Sequence, residues 1–378
     1  MSEYQYYEFQ AVDRPLDKDA QEALRSISSR ARITATSFSN HYEWGDLKGD
    51  PRKFMEQWFD LHLYLANWGT RRLMMRLPKR FLNSMDVDPF LREVDWVDVL
   101  TSGGNVIVDI HRDEVEPGDD WDDGSGRLAA LAPLRADVLS GDLRVFYLLW
   151  LTAVQDELIS DDKVEPLSGI GPLTGALEAF AEFFDIDREL VQAAAESGVD
   201  DEPISGNALR EALTAIAEDE KTELLLRVVE GDSHVAAELR SRIRDKRCAP
   251  PSASCRTVGE LRRRAQEIRE ASERAKAEAR EAERRRQAEE AERGRRARFK
   301  ALKQRGDGVW GEIEAEIERR SASGYDNAAS LLSDLQALAA EEGSQSEFAR
   351  RLASIRTRHE KKRKFIERLI KLGCESDD

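Results

Sequence analysis

Five polar residues between positions 62 and 111 have side chains suited to acid-base chemistry and anion binding. Histidine titrates near neutral pH, and arginine binds anions through paired N–H donors. Each residue lies where polar and apolar residues alternate, which predicts a β-strand. If these strands are neighbours, the side chains share one sheet face beside Tyr64, and that face either binds a ligand or is simply the solvated side of the sheet. The five candidates are His62, Arg72, Arg76, Asp109 and His111.

A second set of candidates is basic and lies in the last third of the chain. Residues 256 to 305 contain 18 Lys and Arg against 10 Asp and Glu, although the whole chain has a net charge of -16. A basic region on an acidic protein attracts polyanions, so nucleic acid is predicted to bind there; alternatively, the arginines serve only helical ion pairs. The residues predicted to contact nucleic acid or a protein partner are Arg295, Arg296, Arg298, Lys300, Arg356, Arg358, Lys361, Lys362, Arg363 and Lys364.

The common signatures of catalysis and cofactor binding are absent from the sequence. It contains no GxxxxGK[ST], GxGxxG, GxSxG or HExxH motif. Its three cysteines, Cys248, Cys255 and Cys374, form neither a CxxC pair nor a disulfide framework. We therefore expect no metal and no cofactor, and we favour a protein that is not an enzyme.

Composition and segment lengths bear on the compartment. The first ten residues lack the basic and apolar regions of a secretory signal. The longest apolar run, Val145 to Val154, is much shorter than the ~20 residues that span a bilayer. With so few cysteines, these features predict a cytoplasmic protein without membrane contact.

The pattern of apolar residues predicts an α+β N-terminal domain, followed by an all-α region, a long charged single helix and a small C-terminal helical module. Asp17 is expected to cap the first helix, and Asp326 a helix of the C-terminal module. The predicted segments are a sheet domain at 1–112, an acidic linker at 113–126, a helical domain at 127–247, a Pro/Ser linker at 248–256, a charged helix at 257–305 and the helical module at 306–378.

Two features leave the helical part open to more than one interpretation. Residues 166–182 are partly echoed by residues 203–218, which is typical either of helical-hairpin repeats or of an irregular bundle. The charged helix starts with apolar positions at heptad spacing, including Val258, Leu261 and Ala265, but loses them by Arg286. We therefore expect a solvated rod about 70 Å long rather than a coiled coil.

Two stretches resemble known sequences. The opening Glu3 to Leu16, with Asn67 to Leu73, resembles uncharacterised bacterial proteins without an assigned activity. The tail from Tyr325 to Gly373 resembles the helical C-terminus of bacterial SWIM-type zinc-finger proteins. The zinc motif is missing, and Arg363 stands where those tails often have Pro. The resemblance implies a docking module near nucleic-acid machinery.

These observations together predict a non-catalytic adaptor or scaffold. It would work in an assembly with protein partners and, through its basic C-terminal helix and tail, with nucleic acid. The alternative is an enzyme or an anion-binding or ligand-binding protein whose site lies on the N-terminal sheet around His62 and Arg76.

Overall fold

A computed structural model of the chain describes residues 3–82, 84–115, 122–197, 206–247 and 255–371. It contains two compact units, of which unit 1 ends at Ser272 and unit 2 begins at Glu273. Unit 1 consists of a β-sheet with helices on both faces, and unit 2 of helices only. The predicted fold class is confirmed.

The sheet of unit 1 has seven strands and is antiparallel throughout. Its spatial order is β2-β3-β1-β4-β5-β7-β6. The strands are β1 (Gln5–Gln10), β2 (Arg32–Ile33), β3 (Ser37–Tyr42), β4 (Leu61–Ala66), β5 (Arg71–Pro78), β6 (Val97–Ser102) and β7 (Asn105–Arg112). The β6-β7 hairpin turns at Gly103, whose φ of +57° lies in the left-handed region that glycine tolerates.

One face of the sheet is covered by two helices, each of which begins after an aspartate cap. Helix α1 (Lys18–Ile27) starts where the Asp17 side chain accepts a hydrogen bond from the N–H of Ala20. Helix α2 (Pro51–Gln57) follows the cap residue Asp50. Their apolar side chains enclose a core that includes Phe9, Phe38 and Met74 of the strands.

The opposite face packs against a layer of helices. Leu63 and Met75 of the sheet share one hydrophobic core with Leu131 and Phe146 of this layer. The predicted sheet domain and helical domain are therefore two layers on one core rather than separate cores. The helices between β5 and residue 247 are α3 (Ser84–Leu91), α4 (Arg127–Leu131), α5 (Pro133–Leu139), α6 (Arg144–Gln155), α7 (Gly175–Phe183), α8 (Arg188–Ala195), α9 (Gly206–Thr214), α10 (Glu218–Val229) and α11 (Val235–Arg247).

The described parts of the two echoing stretches of the helical layer adopt different structures. Residues 176–182 lie inside α7, whereas residues 212–218 span the end of α9, a break and the first residue of α10. The irregular bundle describes these helices better than a repeat does. Residues 116–121 of the acidic linker, and most of the Pro/Ser linker, residues 248–254, lie outside the described residues.

The long helix α12 (Val258–Arg305) begins inside the core of unit 1. Val258 and Leu261 are 0% exposed and belong to the same hydrophobic cluster as the sheet. Just before the helix, Arg256 donates to the buried carboxylate of Glu165 from its backbone and its guanidinium. The prediction of a solvated rod is therefore wrong for the first turns, whose apolar seam packs on its own chain. Within unit 2, every side chain of residues 273–291 is exposed.

Unit 2 is built from the last part of α12 and four further helices. Its core includes Phe299, Ile313, Leu332, Phe348 and Phe365. The four helices are α13 (Gly308–Glu318), α14 (Ala322–Glu342), α15 (Gln345–Arg358) and α16 (Arg363–Lys371).

The predicted cap of α14 is wrong. Ser321, not Asp326, caps α14, because the Ser321 hydroxyl accepts from the N–H of Gly324. Asp326 lies inside the helix and binds Arg368.

Candidate functional site

The five predicted sheet residues do lie on one face of the sheet. In the β4-β5 register His62 lies opposite Met74, and in the β5-β7 register Met74 lies opposite Asp109. Arg72 lies opposite His111. Arg76 follows Met74 by two residues and so shares its face. Their individual contacts, however, differ.

His62 is buried in the core beneath α2 and is neutral. Its ring stacks on Phe9 with 3.9 Å between centroids. Nδ1 lies 3.0 Å from the carbonyl oxygen of Glu8, which can only accept, so Nδ1 carries the proton. Burial, and then the positive charge of Arg72, lowers the pKa of His62 to about 3. With 0% exposure, the ring cannot meet a substrate in solution.

Arg72 and Asp109 form an ion pair with two parallel hydrogen bonds. Arg72 donates from Nε and Nη2 to the two Asp109 oxygens at 2.8 and 2.7 Å. Arg52 of α2 adds a third bond to Asp109 at 2.7 Å. Burial alone raises the pKa of Asp109, but hydrogen bonds from Arg72 and Arg52 outweigh burial and leave that pKa lowered. The guanidinium of Arg72 is thus engaged within the fold.

Arg76 connects β5 to the end of α2. It donates to the buried carboxylate of Asp60 at 2.7 Å from Nη2, and to the carbonyl oxygens of Met55 and Glu56 from Nη1. A cation at a helix C-terminus satisfies carbonyl groups that have no partner in the helix. Arg76 therefore has a structural role in holding α2 on the sheet.

His111 is the one predicted sheet residue whose side chain is largely accessible, with 42% exposure. Its Nε2 lies 3.8 Å from Asp113. Asp113 accepts a hydrogen bond from the hydroxyl of Thr70 at 2.7 Å, and the Thr70 oxygen in turn accepts one from the indole N–H of Trp68 at 3.0 Å. The predicted cluster is therefore divided among separate interactions.

A cleft that no sequence pattern predicts lies in unit 1. Its volume is about 970 Å³, and we call it the His234 cleft. It is formed by the loop after β1, the end of β5 and the loop joining α10 to α11. Arg76 is the one predicted site residue that lines it. Its lining also includes Asp13, Arg14, Trp58, Arg80, Asp232 and His234.

His234 lies between two carboxylates in this cleft. Its Nε2 is 3.1 Å from Asp13, and its Nδ1 is 3.4 Å from Asp232. Both ring nitrogens can donate to carboxylates only when the ring carries two protons. Burial raises the pKa of Asp13, but hydrogen bonds from His234 and Arg135 lower it further than burial raises it.

The arginines that line the His234 cleft are mostly paired within the fold. Arg80 and Arg227 both bind Asp232. Burial raises the pKa of the Asp232 carboxyl, but the hydrogen bonds from Arg227 and the positive charges of both arginines outweigh burial and hold that pKa at about 2. Arg14 is exposed and makes no hydrogen bond or ion pair with a described residue. Among the described residues that line the cleft, Arg14 is thus the arginine whose guanidinium is free to bind a ligand.

The basic residues predicted in the C-terminal third separate into two groups. Arg295 and Arg296 bind Glu292 at 3.0 and 2.8 Å. Lys362 binds Glu318 at 2.8 Å. Arg358 pairs with Glu314, and Arg356 also has an interaction partner. By contrast, five residues are exposed and have no carboxylate partner among the described residues of unit 2: Arg298, Lys300, Lys361, Arg363 and Lys364.

Neither a membrane span nor a metal cluster occurs in the described part of the chain. There, no helix combines the length and the apolar character that crossing a membrane requires. In those same residues, no three His, Cys, Asp or Glu side chains come together in a way that could hold a metal ion.

Comparison with known proteins gives no relative: neither a protein-family model, nor a curated protein, nor a solved structure matches this chain.

Proposed function

We propose that the protein is a non-catalytic, cytoplasmic adaptor that joins protein partners to a polyanion, with nucleic acid as the polyanion. The observation that carries the proposal is the cluster of exposed cations at the start of α16 that have no carboxylate partner among the described residues, namely Lys361, Arg363 and Lys364. We call it the α16 basic cluster. The resemblance of the tail to SWIM-type proteins supports the same role.

The position of the α16 basic cluster is electrostatically unfavourable in the free protein. The N-terminus of a helix carries a partial positive charge, so each cation placed there costs about 0.3 to 1 kcal/mol. Neighbouring arginines in unit 2 relieve their charge with a carboxylate, as Arg368 does with Asp326 at 2.5 Å. An external phosphate would relieve the repulsion at α16 and also accept hydrogen bonds from the first N–H groups of the helix.

The internal pairing of the sheet residues supports a role without catalysis. His62 is buried and neutral, and Arg72 and Arg76 are held by Asp109 and Asp60. A general acid or base must reach the proton it transfers. Arg76 instead holds the end of α2 against the sheet, and Arg72 shares Asp109 with Arg52 of α2.

The test is binding of the full-length protein to duplex and single-stranded DNA and RNA across a salt series. The variant Lys361→Gln/Arg363→Gln/Lys364→Gln removes the α16 basic cluster. We expect weaker binding by the variant, and a slope of log affinity against log salt that is shallower by about 0.9 for each duplex phosphate that the variant no longer neutralises. Circular dichroism checks that both proteins are folded.

A matched control removes the same charge from paired positions. Arg285, Arg296 and Arg305 bind Glu281, Glu292 and Glu312. If Arg285→Gln/Arg296→Gln/Arg305→Gln weakens binding as much as the first variant does, net charge alone explains the affinity. Equal losses, or a wild type that binds no nucleic acid, would overturn the proposal for α16.

The His234 cleft favours a second candidate, a protein that binds a small anionic ligand. Among the described residues, Arg14 is the lining arginine that is free to receive such a ligand, and Trp58 is an aromatic residue of the same lining. A thermal-shift screen of carboxylates and phosphates tests this function. A stabilising compound whose effect disappears in Arg14→Gln but persists in Arg32→Gln would support it, because Arg32 is an exposed arginine that does not line the cleft.

A further inference from the structure

Helix α10 exposes an unusual amount of apolar surface. Leu225, Leu226, Val228 and Val229 are 65%, 52%, 54% and 85% exposed. Single exposed apolar residues are ordinary, but contiguous exposed apolar surface marks a site of interaction. We call these four residues the α10 stripe.

The stripe occupies one side of the helix, and the other side is fixed to unit 1. At 100° per residue, Leu225, Val228 and Val229 lie within about 100° of arc, with Leu226 at its edge. Leu224, next to Val228 around the helix, is 6% exposed and marks the edge at which the helix meets unit 1. Arg227 lies opposite the stripe and binds Asp232 and Glu238 at 2.8 and 2.7 Å. These contacts fix the helix with its apolar side outward.

Carboxylates border the stripe on one edge. Asp219, Glu223 and Glu230 follow Leu226 around the helix. They are exposed, and none has an ion-pair partner among the described residues. A second copy of α10 would bring the same negative edges together and be repelled. A helix with basic residues along its edge would complement this border.

We propose that the α10 stripe docks an amphipathic helix of a partner protein, with an aliphatic face and Lys or Arg along one edge. Aliphatic side chains at i, i+3, i+4 and i+7 would cover the stripe, as in helix-groove recognition. The inference extends the adaptor proposal by naming a class of partner. It rests on the adaptor proposal only in the assumption that the protein docks a partner protein. The variants that test helix docking lie in α10, and those that test polyanion binding lie at α16. One proposal can therefore fail while the other holds.

The probe is a labelled synthetic peptide of about 18 residues, or about five helical turns, with a Leu face and a Lys edge. A second peptide has Glu in place of each Lys. We expect the full-length protein to bind the Lys peptide with a micromolar dissociation constant, and Leu225→Ser/Val229→Ser to weaken binding about tenfold or more. The double variant Glu223→Lys/Glu230→Lys should instead prefer the Glu peptide, since the charge complementarity is reversed.

The control variant is Leu158→Ser/Val164→Ser, which removes exposed apolar residues of 60% and 56% exposure from other parts of unit 1. Equal affinity of the control and the α10 variant for the peptide would overturn the proposal. So would an unchanged peptide preference in the charge-reversed variant. Concentration-dependent self-association that disappears in the α10 variant would identify a second copy as the occupant and would likewise overturn it.

Discussion

Buried charges on the sheet of unit 1 neutralise one another. Asp109 is 1% exposed and receives hydrogen bonds from Arg72 and Arg52. Asp60 is 0% exposed and is held by Arg76. Removing one partner of such a pair strands a desolvated charge, which costs more than the pair itself contributes. The residues that most resemble a catalytic site are therefore those on which folding should depend.

Asp109→Asn tests this structural role directly. The amide keeps the shape of the side chain but leaves the guanidinium of Arg72 without an anion and Arg52 with only the exposed Asp98, so we expect a loss of about 3 to 5 kcal/mol in the free energy of unfolding. Urea unfolding followed by tryptophan fluorescence measures it. Asp98→Asn is the control, because Asp98 also binds Arg52 but is 55% exposed, and its loss should stay near about 0.5 kcal/mol. Similar losses in both variants would contradict the assignment.

His62 makes stability depend on pH in a predictable direction. Its pKa is lowered to about 3 in the folded protein, whereas in the unfolded chain a histidine takes up a proton below about pH 6.5. Protonation thus favours the unfolded chain in this range. The contribution of neutral His62 is complete above about pH 6.5 and falls by up to about 1.4 kcal/mol per unit as pH decreases toward 3.

His62→Gln should flatten this dependence, because glutamine does not titrate. Urea unfolding at several values between about pH 4 and 7 gives the slopes. His111→Gln is the control, because it removes an exposed histidine, at 42% exposure, instead of the buried one. If the slope of His62→Gln matches the wild type over this range, His62 is not a buried neutral group.

Among the structural elements, α12 shows that an apolar pattern can identify the buried residues of a helix without identifying the surface on which they pack. Val258, Leu261 and Ala265 have the spacing of a coiled-coil seam, and they are buried as such a seam would be. They pack, however, on the chain's own core. A truncation at residue 250, at the predicted linker, would therefore remove part of the core of unit 1.

Leu261→Ala measures what α12 contributes to unit 1. Leu261 is 0% exposed, so the cavity should cost about 2 to 5 kcal/mol in the free energy of unfolding. Leu158→Ala, at 60% exposure, should change it by no more than about 0.5 kcal/mol. Urea unfolding of the full chain compares them. A Leu261→Ala protein as stable as Leu158→Ala would mean that α12 does not belong to this core.

The sequence predicts those elements whose signals are local. Alternating residues and the Gly103 turn predict the β6-β7 hairpin, and Asp17 predicts the start of α1, because both depend on neighbours in the chain. Helix α3 gives no such signal, since it contains Pro89, which disfavours helix interiors.

The His234 cleft was not predictable from such local signals. It joins His234 to Asp13, which are 221 residues apart in sequence. No local pattern reports a contact between side chains that only the tertiary fold brings together.

At the scale of the whole molecule, charge is divided between the two units. Residues 1–272 contain 33 Lys and Arg against 52 Asp and Glu, whereas residues 273–378 contain 25 against 22. Partners of opposite charge would therefore be drawn to different units, the basic helix to unit 1 and the polyanion to unit 2. Such a division suits an adaptor only if each unit remains folded when the other is perturbed.

Hydrogen exchange with mass spectrometry can measure that independence. Phe365 is 0% exposed in the core of unit 2, which shares no residue with the two hydrophobic clusters of unit 1. Phe365→Ala should cost unit 2 about 3 to 5 kcal/mol and speed exchange in α13 to α16, leaving β1 to β7 protected. Leu63→Ala, in the core of unit 1, should do the reverse. Faster exchange throughout the chain in both variants would show one cooperative fold, in which a partner bound at α10 and a polyanion bound at α16 stabilise the same structure.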